Sequence, residues 1–331
     1  MQKTGRRRKL KDERFMMKVV KMYYKNGMSQ VDIGKKLNVS RMTVARALEQ
    51  ARKQGYVQIK INFPENSAAN EEEFLEEKFD LKEAIIAYPR EGEVIEEIGF
   101  LTADYMIRIM KNHMTLALTK GITLQKAIQY LEKDMRLRLQ KYKDVKVVPL
   151  SGSNNPPASA DEEYRLAYSN YLIDVVAKIL KVSAYQIMAP LVVADEQAKQ
   201  KFMEEESVRN VIEIAEGADV AVFGIGALDY NSTIMNTDII PPGEYDRLKD
   251  KGGVGEILCH VFDIEGNLIE DSFNKRLVSI SFENLKKIPI RVGVAYGKEK
   301  RQAILGALRA GIVNVLITDM QAAEYLIAVE Q

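Results

Sequence analysis

Residues 29–54, SQVDIGKKLNVSRMTVARALEQARKQ, read as two short helices joined by a tight turn. Ser29 is placed to cap the first helix, and Asp32 three residues on completes a capping box of the S-x-x-D type. The first helix then carries Val31, Ile33 and Leu37 until Asn38 lets the chain turn. Ser40 caps the second helix, in which Val44, Leu48 and Ala51 recur at steps of four and three and mark an inward face. The opposite face, at the helix start, presents Arg41, Met42, Thr43 and Arg46. Short polar and guanidinium side chains there are what a helix-turn-helix uses to reach base edges in the major groove. Gly55 closes the helix, and YVQIKI follows with Val57, Ile59 and Ile61 alternating, which predicts a strand acting as a wing.

A helical hairpin with arginines can equally be a solvated pair of helices, and charge separates the two readings. Residues 1–60 hold 17 Lys+Arg against 4 Asp+Glu, a net of +13; the remaining 271 hold 31 against 43, a net of −12. The near-neutral total hides two opposite halves. A basic block marks a polyanion partner, because neutralising phosphates releases condensed counterions. Double-stranded operator DNA is therefore the expected partner of this end. The run GRRRKLK (Gly5 to Lys11) either adds sequence-independent phosphate contacts or is a disordered tail.

At 331 residues the chain has room for about two domains. The expected division is a helix-turn-helix domain over 1–61, a linker and acidic helix over 62–82, and an α/β domain over 83–331. In the acidic helix Phe74, Leu75 and Phe79 share a face, which serves either to dock the helix on its own domain or to join subunits. Cys259 is the only cysteine, so no internal disulfide forms, as suits a reducing cytoplasm. No stretch approaches 18 apolar residues and the basic N-terminus lacks the apolar core of a signal peptide, so a soluble cytoplasmic protein without a membrane partner is expected.

Beyond residue 83, apolar runs read as buried strands at 84–88, 115–119, 145–150, 184–189, 219–226, 291–297 and 313–318, with helical patterns between most of them. One helix over 93–111 places Ile95, Ile98, Ala103, Met106 and Met110 on a single stripe. Strand and helix repeated in this way predict a doubly wound α/β domain with a mostly parallel sheet, whose ligands bind at the carboxyl ends of the strands.

Five loops carry suitable chemistry. They are LTKGIT (118–123, with Lys120, Gly121 and Thr123), PLSGSNNP (149–156, with Gly152 and Ser153), FGIGALD (223–229), KGGVGEI (251–257, with Glu256) and YGKEKRQAI (296–304, with Gly297 and Lys300). Bare N–H groups at helix starts, joined by a lysine, form a phosphate site, and a carboxylate such as Glu256 accepts from sugar hydroxyls. A glycine after a strand is more often turn geometry alone, so the weight rests on several loops converging. His113 and His260 are the only histidines and are too far apart in sequence to propose a zinc site or a nucleophile–base pair. Cys259 reads as a core residue with its neighbour His260 on the opposite face.

The strings YYKNGMSQVDIGKKLNVSRMTVARAL and GYVQIKI resemble the N-terminal domain of SorC-type bacterial transcriptional regulators. The resemblance continues through PLSG, MAPLVV, ADVAVFGIG, GGVGEILCHVFDIEG, IPIRVGVAYGKEKRQAILGALRAG and NVLITD, nearly the whole chain. It implies a DNA-binding domain and an effector domain related in fold to phosphosugar isomerases. It also implies a homo-oligomer, a tetramer, whose grip on an operator is set by a phosphorylated sugar or polyol, with no cofactor. By the same resemblance Glu256 takes the acidic position of a G-x-V-G-[DE] loop that contacts sugar hydroxyls. Lys300 takes the phosphate-pairing lysine of a GG-x-x-K loop, and Gly152 and Ser153 fall in the polar loop after the third strand. Two departures stand out. Where the family reads something like SWG-R-T this chain reads Thr119, Lys120, Gly121, Ile122, Thr123, and Tyr296 replaces the first glycine before the phosphate lysine, the second surviving as Gly297.

The leading expectation is a transcription factor of a carbohydrate operon, switched by a phosphosugar and not an enzyme. Two others compete: an isomerase or lyase with an accessory DNA-binding end, in which Lys120 or Glu256 does acid–base work, and a regulator whose pocket is vestigial.

Overall fold

The computed structural model describes residues 13–59, 67–88, 93–154, 168–229 and 240–331. Two compact units emerge, Met1–Pro64 and Glu65–Gln331.

In the first unit, α1 covers residues 13–20 and runs on as a π-helical turn over Lys21–Lys25. It is followed by α2 (Gln30–Leu37) and α3 (Arg41–Lys53). The caps form as their sequence demands. Ser29 Oγ accepts from the Asp32 N–H at 3.1 Å and donates to the Asp32 carboxylate at 2.6 Å. Ser40 Oγ accepts from the Thr43 N–H at 3.1 Å. Asn38 takes the left-handed conformation (φ 53°) between the two helices, a role its short side chain tolerates. Met16, Val19, Met22, Ile33, Val44 and Leu48 close a small core. Val31 departs from expectation, lying exposed on the outer side of α2. So does the wing: no strand forms over Val57–Ile59, and Lys60 and Ile61 lie outside the described residues. Only Val57 of the alternating set packs on the core, while Ile59 is exposed, so no two-sided pattern anchors a ladder there. The GRRRKLK run also lies outside the described residues.

The second unit opens with α4 (Ala69–Phe79), the acidic helix. The strands are β1 (Glu83–Ala87), β2 (Thr115–Leu118), β3 (Lys146–Pro149), β4 (Ser183–Ala184), β5 (Val220–Gly224), β6 (Gly226–Ala227), β7 (Gly255–Ile257), β8 (His260–Phe262), β9 (Ile290–Val294) and β10 (Val315–Asp319). Between them run α5 (Val94–Ile109), α6 (Ile122–Lys133), α7 (Met135–Leu139), α8 (Ser169–Leu180), α9 (Glu196–Glu204), α10 (Glu206–Glu216) and α11 (Pro242–Asp250). The last helices are α12 (Phe282–Leu285), α13 (Arg301–Arg309) and α14 (Met320–Glu330).

Seven strands form one sheet in the order β1-β10-β9-β5-β2-β3-β4, every pairing parallel. Side chains alternate between two cores because successive strand residues face opposite ways. Leu116, Leu118, Val220, Val222, Val292 and Val294 meet α5, α6 and α8 on one face. Ala117, Ala221, Phe223 and Leu316 meet α4, α10, α13 and α14 on the other. The sheet is therefore doubly wound.

The acidic helix docks on this unit, one of the two readings its sequence left open. Leu75 is fully buried and Phe74 and Phe79 pack on the same core. The Glu72 and Glu76 carboxylates each accept at 2.9 Å from N–H groups of the edge strand β1, those of Ile86 and Ala84. A sheet edge otherwise left with bare donors is thereby covered.

Two strand expectations change. The run 184–189 pairs only over Ser183–Ala184, at the sheet's other edge; beyond it the chain peels away and Ile187 and Ala189 are buried in a side cluster instead. The run 219–226 splits, since Gly226 leaves the parallel sheet to start a small antiparallel sheet β6-β7-β8.

Candidate functional site

On α3, Val44, Ala47, Leu48 and Ala51 are buried while Arg41, Met42, Thr43 and Arg46 are exposed. Met42 is 61% exposed, an apolar side chain held in solvent at the start of a helix. Thr43 Oγ1 lies 2.9 Å from Ser40 Oγ, so the cap also orients one of the four. Glu49, the one acid on this helix, is paired with Lys53 at 2.7 Å on the exposed side. The four side chains are thus presented together in solvent over the first two turns of the helix, whose start is fixed by the cap.

In the second unit a cavity of about 310 Å³ opens at the carboxyl ends of the parallel strands. From β2 the chain proceeds outward through β3 and β4, and then returns to build β5, β9 and β10 on the other side. Adjacent strands whose chains leave in opposite directions leave a crevice between them, and the cavity lies there. Its lining includes Thr119, Lys120, Gly121 and Thr123 after β2, Ser151 after β3, Gly224 at the end of β5, and Tyr296, Gly297, Glu299 and Lys300 after β9.

Glu256 reaches the cavity by a different route. The KGGVGEI stretch is not the end of a parallel strand; it runs from the end of α11 into β7, and the β7–β8 hairpin delivers the carboxylate. Gly226 sits opposite Glu256 in the β6–β7 ladder, and a Cβ at that glycine would lie 2.1 Å from Glu256 Oε1. Only a residue without a side chain lets the carboxylate lie there. The other oxygen, Oε2, accepts from the Cys259 N–H at 2.8 Å. Burial raises the Glu256 carboxyl above its ordinary value, opposed by that N–H and by the charges of Lys120 and Lys300. Burial likewise holds the Lys300 ammonium below the usual lysine value, against the pull of Glu256. The Lys300 Nζ stands 5.8 Å from the Tyr296 ring centroid, a cation–π contact. No side-chain hydrogen bond or ion pair is found for Lys120 or Lys300 among the described residues.

Of the eight sequence-derived effector residues, Lys120, Gly121, Thr123, Glu256, Gly297 and Lys300 line this one cavity. Gly152 and Ser153 do not. The Gly152 N–H donates to Val278 O at 2.8 Å and that of Ser153 to Ala189 O at 3.0 Å. A Cβ at Gly152 would come within 2.6 Å of the Ala189 and Pro190 carbonyls, so this glycine serves a close backbone crossing. The residue of that loop at the cavity is Ser151.

Leu258 and Cys259 were not legible as site residues. They form the two-residue tip of the β7–β8 hairpin, with φ of 56° and 65°, and both line the cavity. Such a turn is ordinarily signalled by Asn-Gly, and Leu-Cys carries no such mark. Cys259 is buried as expected, with its thiol pushed up to about 12 by that burial, but it lies at a turn facing the cavity and not within a strand. His260 is buried behind the tip, with Nε2 2.9 Å from Ser279 Oγ and a value lowered to about 4, chiefly by burial.

Comparison with known proteins places these geometries. The sugar-binding domain family matches residues 64–328, and the region 4 family of sigma-70 factors matches residues 16–54, the helix-turn-helix. The chain belongs to the SorC-type sugar-binding transcriptional regulators. The regulator LsrR of Enterobacter sp. (strain 638) is 29% identical over 324 residues, spanning 96% of this chain and 94% of that protein. The deoxyribonucleoside regulator of Bacillus subtilis is 26% identical over 318 residues, spanning 95% and 97%. The full-length sorbitol operon regulator SorC from Klebsiella pneumoniae superposes with a TM-score of 0.70 at 26% identity, over 96% of this chain and 99% of that one. As a SorC-type regulator the chain is a transcription factor and not an isomerase or lyase. Among the described residues no helix is long and apolar enough to cross a membrane.

Proposed function

We propose that this SorC-type regulator senses a phosphorylated sugar or polyol in the cavity of its second unit. Binding there sets the grip of its first unit on the operator of a carbohydrate-utilisation operon. The observation carrying this reading is the pairing of two ammonium groups, Lys120 and Lys300, with a half-buried carboxylate, Glu256, in one crevice at strand ends. Cations with no acceptor of their own in a half-buried site favour an anion, and a carboxylate accepts from hydroxyls. The N-terminus of α6 at Ile122 adds N–H groups at the same cavity. A ligand with both a phosphate and hydroxyl groups satisfies all three. The kinship in fold to phosphosugar isomerases, implied by the sequence resemblance, fits the same crevice.

Arg41, Met42, Thr43 and Arg46 are the residues we assign to the operator. Helix-turn-helix proteins read two-fold half-sites as symmetric oligomers, so a cytoplasmic homo-oligomer, a tetramer as the resemblance implies, is the form proposed to act. The effector switches it by preferring one arrangement, and such couplings run to about 1–3 kcal/mol.

The test is a thermal-shift panel of sugar and polyol phosphates, followed by gel shifts on a duplex selected from a random-sequence pool. A ligand that binds only the folded state raises the melting temperature with its concentration. The expected result is a hit that also changes DNA affinity about 5- to 150-fold. A hit that leaves DNA affinity unchanged overturns the switch, and a blank panel overturns the phosphosugar.

A further inference from the structure

The hairpin tip at the cavity pays for its shape. Leu258 and Cys259 are consecutive residues in the left-handed region, at 56° and 65°, neither of them glycine, asparagine or aspartate. A left-handed residue with a Cβ is strained, and for a branched chain such as leucine the more so. Other left-handed positions in the described residues fall mainly on glycine, asparagine and aspartate, for which the conformation comes readily. Strain of this kind persists only where the surroundings impose it, and it concentrates at ligand sites.

What the conformation achieves is visible in one hydrogen bond and in where the two side chains pack. The Cys259 N–H turns back to Glu256 Oε2 at 2.8 Å. The Leu258 side chain joins the core that includes Ile225, and the Cys259 side chain joins a separate cluster that includes Leu191. All four of these side chains also line the cavity. The same turn therefore orients the carboxylate and builds an apolar wall beside it. A wall of aliphatic side chains and one thiol, itself only a weak donor and acceptor, leaves a ligand hydroxyl placed against it poorly satisfied, whereas a C–H edge loses nothing.

We propose that the Leu258–Cys259 tip is the specificity element of the cavity. It selects, among sugar phosphates, those presenting an unhydroxylated carbon next to the hydroxyl taken by Glu256. This rests on the phosphosugar reading above.

The experiment uses the full-length protein, the only cysteine of which is Cys259. Calorimetry compares aldose and ketose phosphates with their monodeoxy counterparts, deoxygenated at each position in turn. For at least one pair the wild type is expected to bind the deoxy member about tenfold more tightly or better, the scale on which an apolar pocket rejects an added hydroxyl. Cys259→Ser puts a hydroxyl on the wall at almost unchanged volume and is expected to bring that ratio to about one or reverse it. Cys259→Gly fits the left-handed backbone and removes the wall, and is expected to lower the ratio at least threefold while keeping the N–H to Glu256. A cooperative unfolding transition of the second unit, retained in both variants by chemical denaturation, shows that they are folded. Absence of discrimination in every pair by the wild type overturns the proposal. So does a ratio unchanged in both variants. Failure of the underlying reading looks different, because the wild type then binds no sugar phosphate of either kind, and the proposal falls with it.

Discussion

The helix-turn-helix and the effector cavity are built on opposite plans. Arg41, Met42, Thr43 and Arg46 lie within six consecutive positions, on one helix, oriented by a cap one residue upstream. The cavity draws on loops after β2, β3, β5 and β9 and on an antiparallel hairpin, from Thr119 to Lys300. The first site is a local structure exposed on a small core, and the second exists only when a seven-stranded sheet has closed. A site made of neighbours in sequence can be changed without disturbing the rest. A site made by convergence is sensitive to residues that never touch ligand.

The largest effect should break the DNA site alone. Arg41→Ala with Arg46→Ala is expected to cost operator binding about 2–6 kcal/mol, taking each guanidinium contact at its usual worth. Calorimetric affinity for the effector should not move. Equal gel-shift affinity in wild type and double variant would remove α3 from the interface.

Next, Lys300→Ala attacks the cavity alone. Leaving a phosphate without its cation in a half-buried site is expected to weaken effector binding by about 2–5 kcal/mol. DNA binding without effector should be normal. Unweakened calorimetric binding of the sugar phosphate would refute the phosphate role.

A pH experiment sharpens the contrast in burial. His260 sits at about 4 when folded, against its ordinary 6.5, because burial penalises the imidazolium. The unfolded chain therefore takes the proton first. The contribution to stability is complete above pH 6.5 and is lost as pH falls through about 4, a difference of about 3 kcal/mol. His260→Gln should flatten the acid limb of the second unit's unfolding free energy by that order. An acid limb unchanged by the substitution would mean the folded imidazole is not held neutral.

The smallest effect tests how local the first unit is. Ser40→Ala removes the acceptor for the Thr43 N–H and is expected to cost about 1 kcal/mol. Chemical denaturation should show the loss in the helix-turn-helix transition, with effector affinity untouched. A matching fall in effector affinity would deny that the two sites are built separately.

The difference in plan also explains what could be read in advance. Capping boxes, heptad-like spacing and the charge split act over a few residues, so the two helices of the motif and their outer face were legible. The wing was not, since alternation at Val57 and Ile59 fixes no strand without a partner to pair with. In the second unit, the apolar runs announced the parallel strands and their glycine-marked ends. Gly152 reads as a ligand-loop residue because a glycine freeing N–H groups for a ligand and a glycine crossing under the Ala189 and Pro190 carbonyls look the same in one dimension. Leu258 and Cys259 are illegible for the converse reason, a turn whose residues carry no turn signal.

The amino-acid sequence by itself determined the elements, their order, the DNA-facing side of α3 and the chemical types available at strand ends. Those follow from interactions between residues a few positions apart, and from periodicities of 3.6 and 2. The tertiary structure alone decided that Lys120, Glu256 and Lys300 share one cavity, that Gly226 must lack a side chain for Glu256 to lie there, and that a strained Leu-Cys turn forms its wall. Those depend on strand order and on close approaches between segments far apart along the chain, which no local rule encodes.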